Sequence, residues 1–133
     1  MADDGLITVP STFSVRETVD RLVGFATSHG LAVFARVDHA DGAAKVGLPL
    51  RPTELVIFGN PKGGTPLMQD CQTAGIDLPL KALAWEDDDG KVWLTLNDAA
   101  WIAKRHGLGP ASAQAVQGIA AGLAAAAKAA TAA

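Results

Sequence analysis

Leu55-Val56-Ile57-Phe58-Gly59-Asn60-Pro61-Lys62-Gly63-Gly64-Thr65-Pro66-Leu67-Met68 is the stretch on which the fold turns. Leu55 to Phe58 is a short apolar run with β-branched centres, closed by Gly59, and reads as a core strand. Asn60-Pro61 starts a turn, because Pro61 presets its own φ and pushes Asn60 out of the helical region. Gly63 and Gly64 permit a positive φ or close backbone approach. Thr65-Pro66 reads as an N-cap followed by proline at the first helical position, so a short helix is predicted from Pro66 to about Ala74, ended by Gly75. A helix N-terminus preceded by two glycines and Lys62 makes an anion seat. Gly59 and Gly64 share the glycine spacing of a phosphate loop, but Thr65-Pro66 stands where Lys-Ser/Thr is needed to reach phosphates and magnesium, so nucleotide hydrolysis is excluded. The same residues also make a tight strand-to-helix connection with no ligand, and the sequence leaves both readings open.

The rest of the chain bounds the answer. Its 133 residues fit one domain with a genuine core, and a net charge of −3 with scattered lysines and arginines argues against a nucleic-acid surface. Cys71 is the single cysteine, so no internal disulfide can form and a reducing cytoplasm is the expected compartment. Met1-Ala2-Asp3-Asp4 is acidic where a secretory signal is basic. The alanine-rich end is too weakly apolar, and too interrupted by Gln114, Gln117 and Lys128, for a membrane span.

Outward from the central stretch, Leu6 to Val9 reads as a first strand, extending toward Phe13 as an edge. Ser14-Val15-Arg16-Glu17 is a capping box, and Val15, Val19, Leu22, Val23 and Ala26 mark one face of the helix it opens, which Gly30 ends. Leu31 to Val37 reads as a second strand, central because its apolar residues occupy both faces. A short helical turn capped by Asp41 follows, carrying Ala43 to Val46. Lys81–Glu86 and Lys91–Leu96 flank Asp87-Asp88-Asp89-Gly90, a hairpin signal, with Val92, Leu94 and Leu96 on one face. Asn97 or Asp98 caps the next helix, and a last helix spans about Ser112 to Lys128 with a stripe of Val116, Ile119 and Leu123. The order predicts an α+β fold: a mainly antiparallel sheet of about five strands packed by helices, a single domain over 1–110, and an alanine-rich C-terminal helix or tail over 111–133.

Several of these motifs, taken in order, resemble the domain of unknown function 302 family. They are Phe58-Gly59-Asn60-Pro61-Lys62, Gly64-Thr65-Pro66-Leu67-Met68 and Asp77-Leu78-Pro79-Leu80-Lys81, with Ser14 to Thr18, Asp38-His39, Ala43-Ala44 and Glu86 to Gly90 in support. The resemblance runs from about Ile7 to Leu108. It implies an α+β domain similar to TATA-box-binding-protein-like folds, a homodimer, and no established activity. The alanine-rich tail from about Ala111 lies outside the pattern it covers.

The candidate ligand-binding residues are Asp38, His39, Asn60, Lys62, Gly63, Gly64, Thr65 and Lys81. Asp38-His39 leaves a strand end, where polar side chains line clefts, and histidine titrates near neutrality. Cys71 reads as a buried structural cysteine on the short helix. Three scattered histidines and one cysteine have no metal-ligand spacing, Asp87 to Asp89 lacks the rest of a calcium loop, and no nucleophile stands with its base, so no metal, cofactor or catalytic residue is expected. Trp85 and Trp93 are expected to meet across the hairpin. The reading is a small-ligand module, with an anionic ligand held by Lys62 and the helix amides. The alternative is a homodimeric scaffold using the open sheet face, and an uncharacterised enzyme is the weaker third. Neither nucleic acid nor membrane is an expected partner.

Overall fold

The hairpin at Asp87–Gly90 centres the sheet. In the computed structural model, which describes residues 4–133, strands β4 (Leu80–Glu86) and β5 (Val92–Asn97) pair with Trp85 opposite Trp93. Gly90 sits at φ 80°, where a side chain is strained, so the turn needs glycine there. Asp87 finishes the turn with its own carboxylate: Oδ1 accepts the Asp89 and Lys91 amides, each at 2.9 Å, and Oδ2 accepts the Trp93 indole at 2.8 Å. The Trp93 indole, then those amides and the Lys91 charge, hold the Asp87 pKa below the usual carboxylate value.

Around this hairpin β1 (Leu6–Ser11) pairs with β5, β3 (Thr53–Gly59) with β4, and β2 (Ala32–Asp38) with β3. The order is β1-β5-β4-β3-β2, and every pair is antiparallel. The second strand is therefore an edge and not central. Its apolar residues occupy both faces because a bulge between Val33 and Ala35 interrupts the alternation, and Val33 and Phe34 stand exposed.

One face of the sheet is core. Val56, Phe58, Ala82, Ala84, Leu94 and Leu96 project from it and are buried against α1 (Val15–Ser28) and α5 (Ala113–Thr131). Ser14 Oγ accepts the Glu17 amide at 3.1 Å and opens α1, which buries Val15, Thr18, Val19, Leu22 and Ala26 on one stripe. Each large aliphatic side chain fully removed from water contributes about 1.5–3 kcal/mol.

The alanine-rich end is not a tail. Ala126 and Ala130 are fully buried, and so small that α5 lies close against α1. The last carbonyls of α5 lack helical partners, and the chain supplies them from the other terminus. Thr131 O accepts the Thr12 amide at 3.0 Å and its hydroxyl at 2.9 Å, while Arg21 Nε donates to Ala129 O at 3.3 Å.

The opposite sheet face carries Leu55, Ile57, Leu83, Trp85 and Trp93, all half-buried. Trp85 and Trp93 stack there with ring centroids 6.3 Å apart. Between β2 and β3 lies α2 (His39–Lys45), capped by Asp38 rather than Asp41, since Asp38 Oδ1 accepts the Asp41 amide at 2.9 Å. The hairpin is followed by α4 (Ala99–Arg105), whose cap is Asp98. Among the described residues no helix is long and apolar enough to cross a membrane.

Candidate functional site

The helix after β3 starts earlier than its sequence suggests. Asn60 is the N-cap and Pro61 the first residue of α3 (Pro61–Asp70), so Gly63, Gly64, Thr65 and Pro66 all lie inside the helix. The Asn-Pro pair does at 60–61 what Thr-Pro was expected to do at 65–66. Two glycines and an internal proline disfavour this helix locally, and tertiary packing overrides them. The glycines allow that packing: a Cβ on Gly63 would lie 3.5 Å from Ile119 of α5, and one on Gly64 3.5 Å from Leu78.

The early start also removes the anion seat at the helix N-terminus. Pro61 has no N–H to offer. Asn60 Oδ1 accepts the Lys62 amide at 3.0 Å, and Asn60 O accepts the Gly63 and Gly64 amides at 2.9 and 3.0 Å. Each donor that a phosphate would need is already satisfied by Asn60.

In place of that seat there is a cavity of about 460 Å³. Its inner wall is Phe58 and Leu80 from the sheet and Leu123 from α5; its sides are the small residues Gly63 and Gly64 of α3 and Gly118 and Gly122 of α5. The lining is overwhelmingly apolar. Asn60, Lys62 and Thr65, all exposed, bring polar side chains to its mouth. Volume and lining are those of a small-molecule pocket.

Two contacts fix the walls. Asp70, at the end of α3, accepts the Ser112 hydroxyl at 2.6 Å and the Gly109 amide at 2.9 Å just before α5 begins. At the other end Gly63 faces Ile119. The two helices thus run antiparallel with the cavity between them. The Ser112 hydroxyl first, and the Gly109 amide second, lower the Asp70 pKa below the usual carboxylate value.

The structure gathers Asn60, Lys62, Gly63, Gly64 and Thr65 around one cavity and leaves Asp38, His39 and Lys81 outside it. Asp38 pairs with Glu54, whereas the cavity end of β2 begins at Ala32 opposite Gly59. Five residues of strand separate the two ends, roughly 17 Å. Asp38 caps α2 and lies 3.6 Å from Arg16, beside the buried Glu54 that Arg36 Nε contacts at 3.2 Å. Lys81 sits opposite Ile57 on the sheet face away from α5; its amide donates to Asn97 Oδ1 at 2.7 Å and its ammonium to Pro79 O at 3.4 Å.

Cys71 is half-buried at the C-cap of α3, not buried within it. It opens a chain of polar contacts that the sequence hid. Its Sγ is 3.2 Å from Thr73 Oγ1, which is 3.2 Å from His106 Nδ1, while His106 Nε2 is 2.6 Å from Asp77. Arg105 contacts both oxygens of Asp77, at 3.0 and 3.1 Å. This cluster ties α4 to the 3₁₀ turn Gln72–Ile76 and so steadies the far end of α3. Arg105 and His106 lie 28 to 33 positions from their partners in it, a distance in the chain that concealed the cluster.

The candidate residues read from sequence lack the apolar lining, Leu31, Phe34, Leu78 and Leu80 among it, and every contribution of α5. Gly118 and Gly122, four residues apart in a helix, place two bare backbone patches on one face, a pattern visible in the sequence had the cavity's position been known.

Comparison with known proteins bears on this arrangement. Over 120 residues the chain is 58% identical to a protein of Brucella suis biovar 1 (strain 1330) named fluoride-specific ion channel FluC 1, a match covering 90% of this chain and 47% of that protein. The same identity and length relate it to fluoride-specific ion channel FluC 2 of Brucella melitensis biotype 1, with 44% of that protein covered. The chain thus spans a little under half the length of these curated relatives. A crystal structure of an uncharacterized conserved protein DUF302 from Bacillus stearothermophilus matches with TM-score 0.82 at 19% identity, over 95% of this chain and 98% of that one, which establishes the shared fold. The family model described as domain of unknown function DUF302 matches residues 7–128, so α5, expected to lie outside the family pattern, falls almost wholly within it. The chain belongs to the DUF302 family.

Proposed function

We propose that the protein is a small-ligand-binding module whose ligand is largely apolar and sits between α3 and α5. The cavity carries this reading: about 460 Å³ of space walled by sheet side chains and helix glycines, with Asn60, Lys62 and Thr65 at its mouth. Nothing in the packing demands glycine at 118 or 122, where an added Cβ meets no atom within 4 Å, yet glycine in a helix costs about 1 kcal/mol relative to alanine. A binding site accounts for space kept open at that cost. Thermal-shift screening of small apolar and amphipathic compounds tests it. Specific ligands raise the melting temperature of the wild type by mass action. A folded Gly118→Leu/Gly122→Leu variant, whose side chains fill the cavity, loses those shifts; equal shifts in both proteins refute the site.

The relatives favour a companion reading. Proteins named as fluoride channels carry a region 58% identical to this chain within less than half their length. We infer that this module serves a membrane transport protein, the channel itself residing in the length that this chain does not match. Co-purification in detergent with a fluoride channel from the same cell supports this; absence of co-purification, together with unchanged fluoride tolerance on deletion, sinks it. Self-association through the open face around Trp85 and Trp93 is compatible with either role, and sedimentation of a Trp85→Glu variant measures it.

A further inference from the structure

Three observations bear on what the cavity takes, and all rest on the pocket reading above. The first is where its polar groups stand. Because α3 and α5 are antiparallel, Asn60 and Lys62 lie toward the Leu123 end, while Met68 and Ala115 line the other. Asn60 and Lys62 therefore stand at the exposed rim toward one end, over a lining that is apolar along its whole length.

The second observation is shape. Ala115, Gly118 and Gly122 lie along α5 beside Ile119 and Leu123, small residues at intervals over roughly 10 Å of helix axis. Gly63 and Gly64 face it from α3. A trough with low walls along two helices suits an extended chain better than a compact ring system.

The third is charge. Lys62 is the one ionisable side chain lining the cavity, and among the described residues it has no ion-pair partner within 4 Å. One unpaired cation complements one negative charge. The first amides of α3 are consumed by Asn60, so the site lacks the donors that hold a doubly charged phosphate or a polyphosphate.

We propose that the ligand is a single-chain monocarboxylate, its hydrocarbon chain lying in the trough between α3 and α5 and its carboxylate paired with Lys62. Calorimetric titration of the full chain at low salt tests this with hexanoate, octanoate and decanoate below their micelle concentrations. Octanol, octylammonium and octyl phosphate serve as head-group controls.

Affinity for the carboxylates should rise roughly fourfold per added methylene, the increment expected for a CH₂ leaving water. Octanoate should bind more tightly than octanol or octylammonium. Lys62→Glu, at an exposed position where folding is undisturbed, should weaken octanoate at least fivefold and favour octylammonium over it. Equal affinity for octanoate, octanol and octylammonium, indifferent to Lys62→Glu, overturns the carboxylate assignment and leaves the cavity reading standing. Tighter binding of octyl phosphate than of octanoate also overturns it. No binding by any of the chains overturns the cavity reading together with this one.

Discussion

Replacing both α5 glycines by alanine should make the protein more stable, and the size of the gain follows from the structure. Gly118 and Gly122 lie inside α5 with helical neighbours on both sides. A Cβ built on either meets nothing within 4 Å, so the substitution brings no clash and little new contact. What remains is helix propensity, which favours alanine over glycine by about 0.8–1.0 kcal/mol at each site. The two changes do not touch a common partner, so they should add, giving about 2 kcal/mol for the pair. For a domain of this size that corresponds to a rise of roughly 6–10 °C in Tm. Urea unfolding followed by far-UV circular dichroism measures it, and an unchanged m-value shows that the gain is in stability and not in the denatured state. Gly24→Ala on α1 is the control: it too meets open space, lies away from the cavity, and should gain about 1 kcal/mol. If Gly24→Ala stabilises while the α5 pair does nothing or destabilises, then α5 is not an open helical wall at these positions, and the cavity described above does not exist in solution.

Other perturbations probe the frame around the cavity. Gly5→Ala should cost about 2–3 kcal/mol in chemical denaturation, because Gly5 has φ 82° and a Cβ there lies 2.6 Å from the Trp101 ring; a near-neutral result contradicts that packing. Phe58→Ala, at a residue only 2% exposed, should cost about 3–5 kcal/mol and widen the cavity, read as lower stability with longer chains accepted in the titration series. The Asp70 pKa is depressed in the fold, so its contacts to Ser112 and Gly109 are in place above the unfolded carboxylate value of about 3.9 and are lost as pH falls through the lower folded value. Carbon-detected NMR titration should show Asp70 titrating below an ordinary aspartate, with the Gly109 amide shift following it; an ordinary pKa at Asp70 removes the proposed staple between α3 and α5.

Where sequence and structure agree, the information was local. The Asp87–Gly90 turn, the Ser14 cap and the alternation of Val92, Leu94 and Leu96 each depend on residues within a few positions of one another. Where they part, something distant decided. Asn60-Pro61 and Thr65-Pro66 are both valid helix starts by cap chemistry. The earlier pair starts the helix, and Gly63 then lies against Ile119, a residue of α5. Likewise β2 reads as central from its own residues, and becomes an edge because nothing else in the described chain pairs beyond it. Asp38-His39, at a strand end, and Lys81 are expected beside Lys62, and the structure separates them from it. Antiparallel pairing sends Asp38 to the opposite end of the sheet, and period-two alternation sends Lys81 to the opposite face.

The same logic explains why the cavity itself could not be read. One of its sides is the alanine-rich helix, which looks like dispensable low-complexity sequence until its position is known. Larger residues at 126 and 130 would push α5 away from α1; larger residues at 118 and 122 would fill the space beside α3. One run of small side chains thus does two opposite things. Over its last turns it closes the helix onto the core, and over its middle it holds a hollow open. The difference lies in what stands across from each turn: α1 at one end and the glycine-bearing first turns of α3 at the other. Composition cannot separate these two uses of alanine and glycine, since each residue is small for a reason located more than fifty positions away.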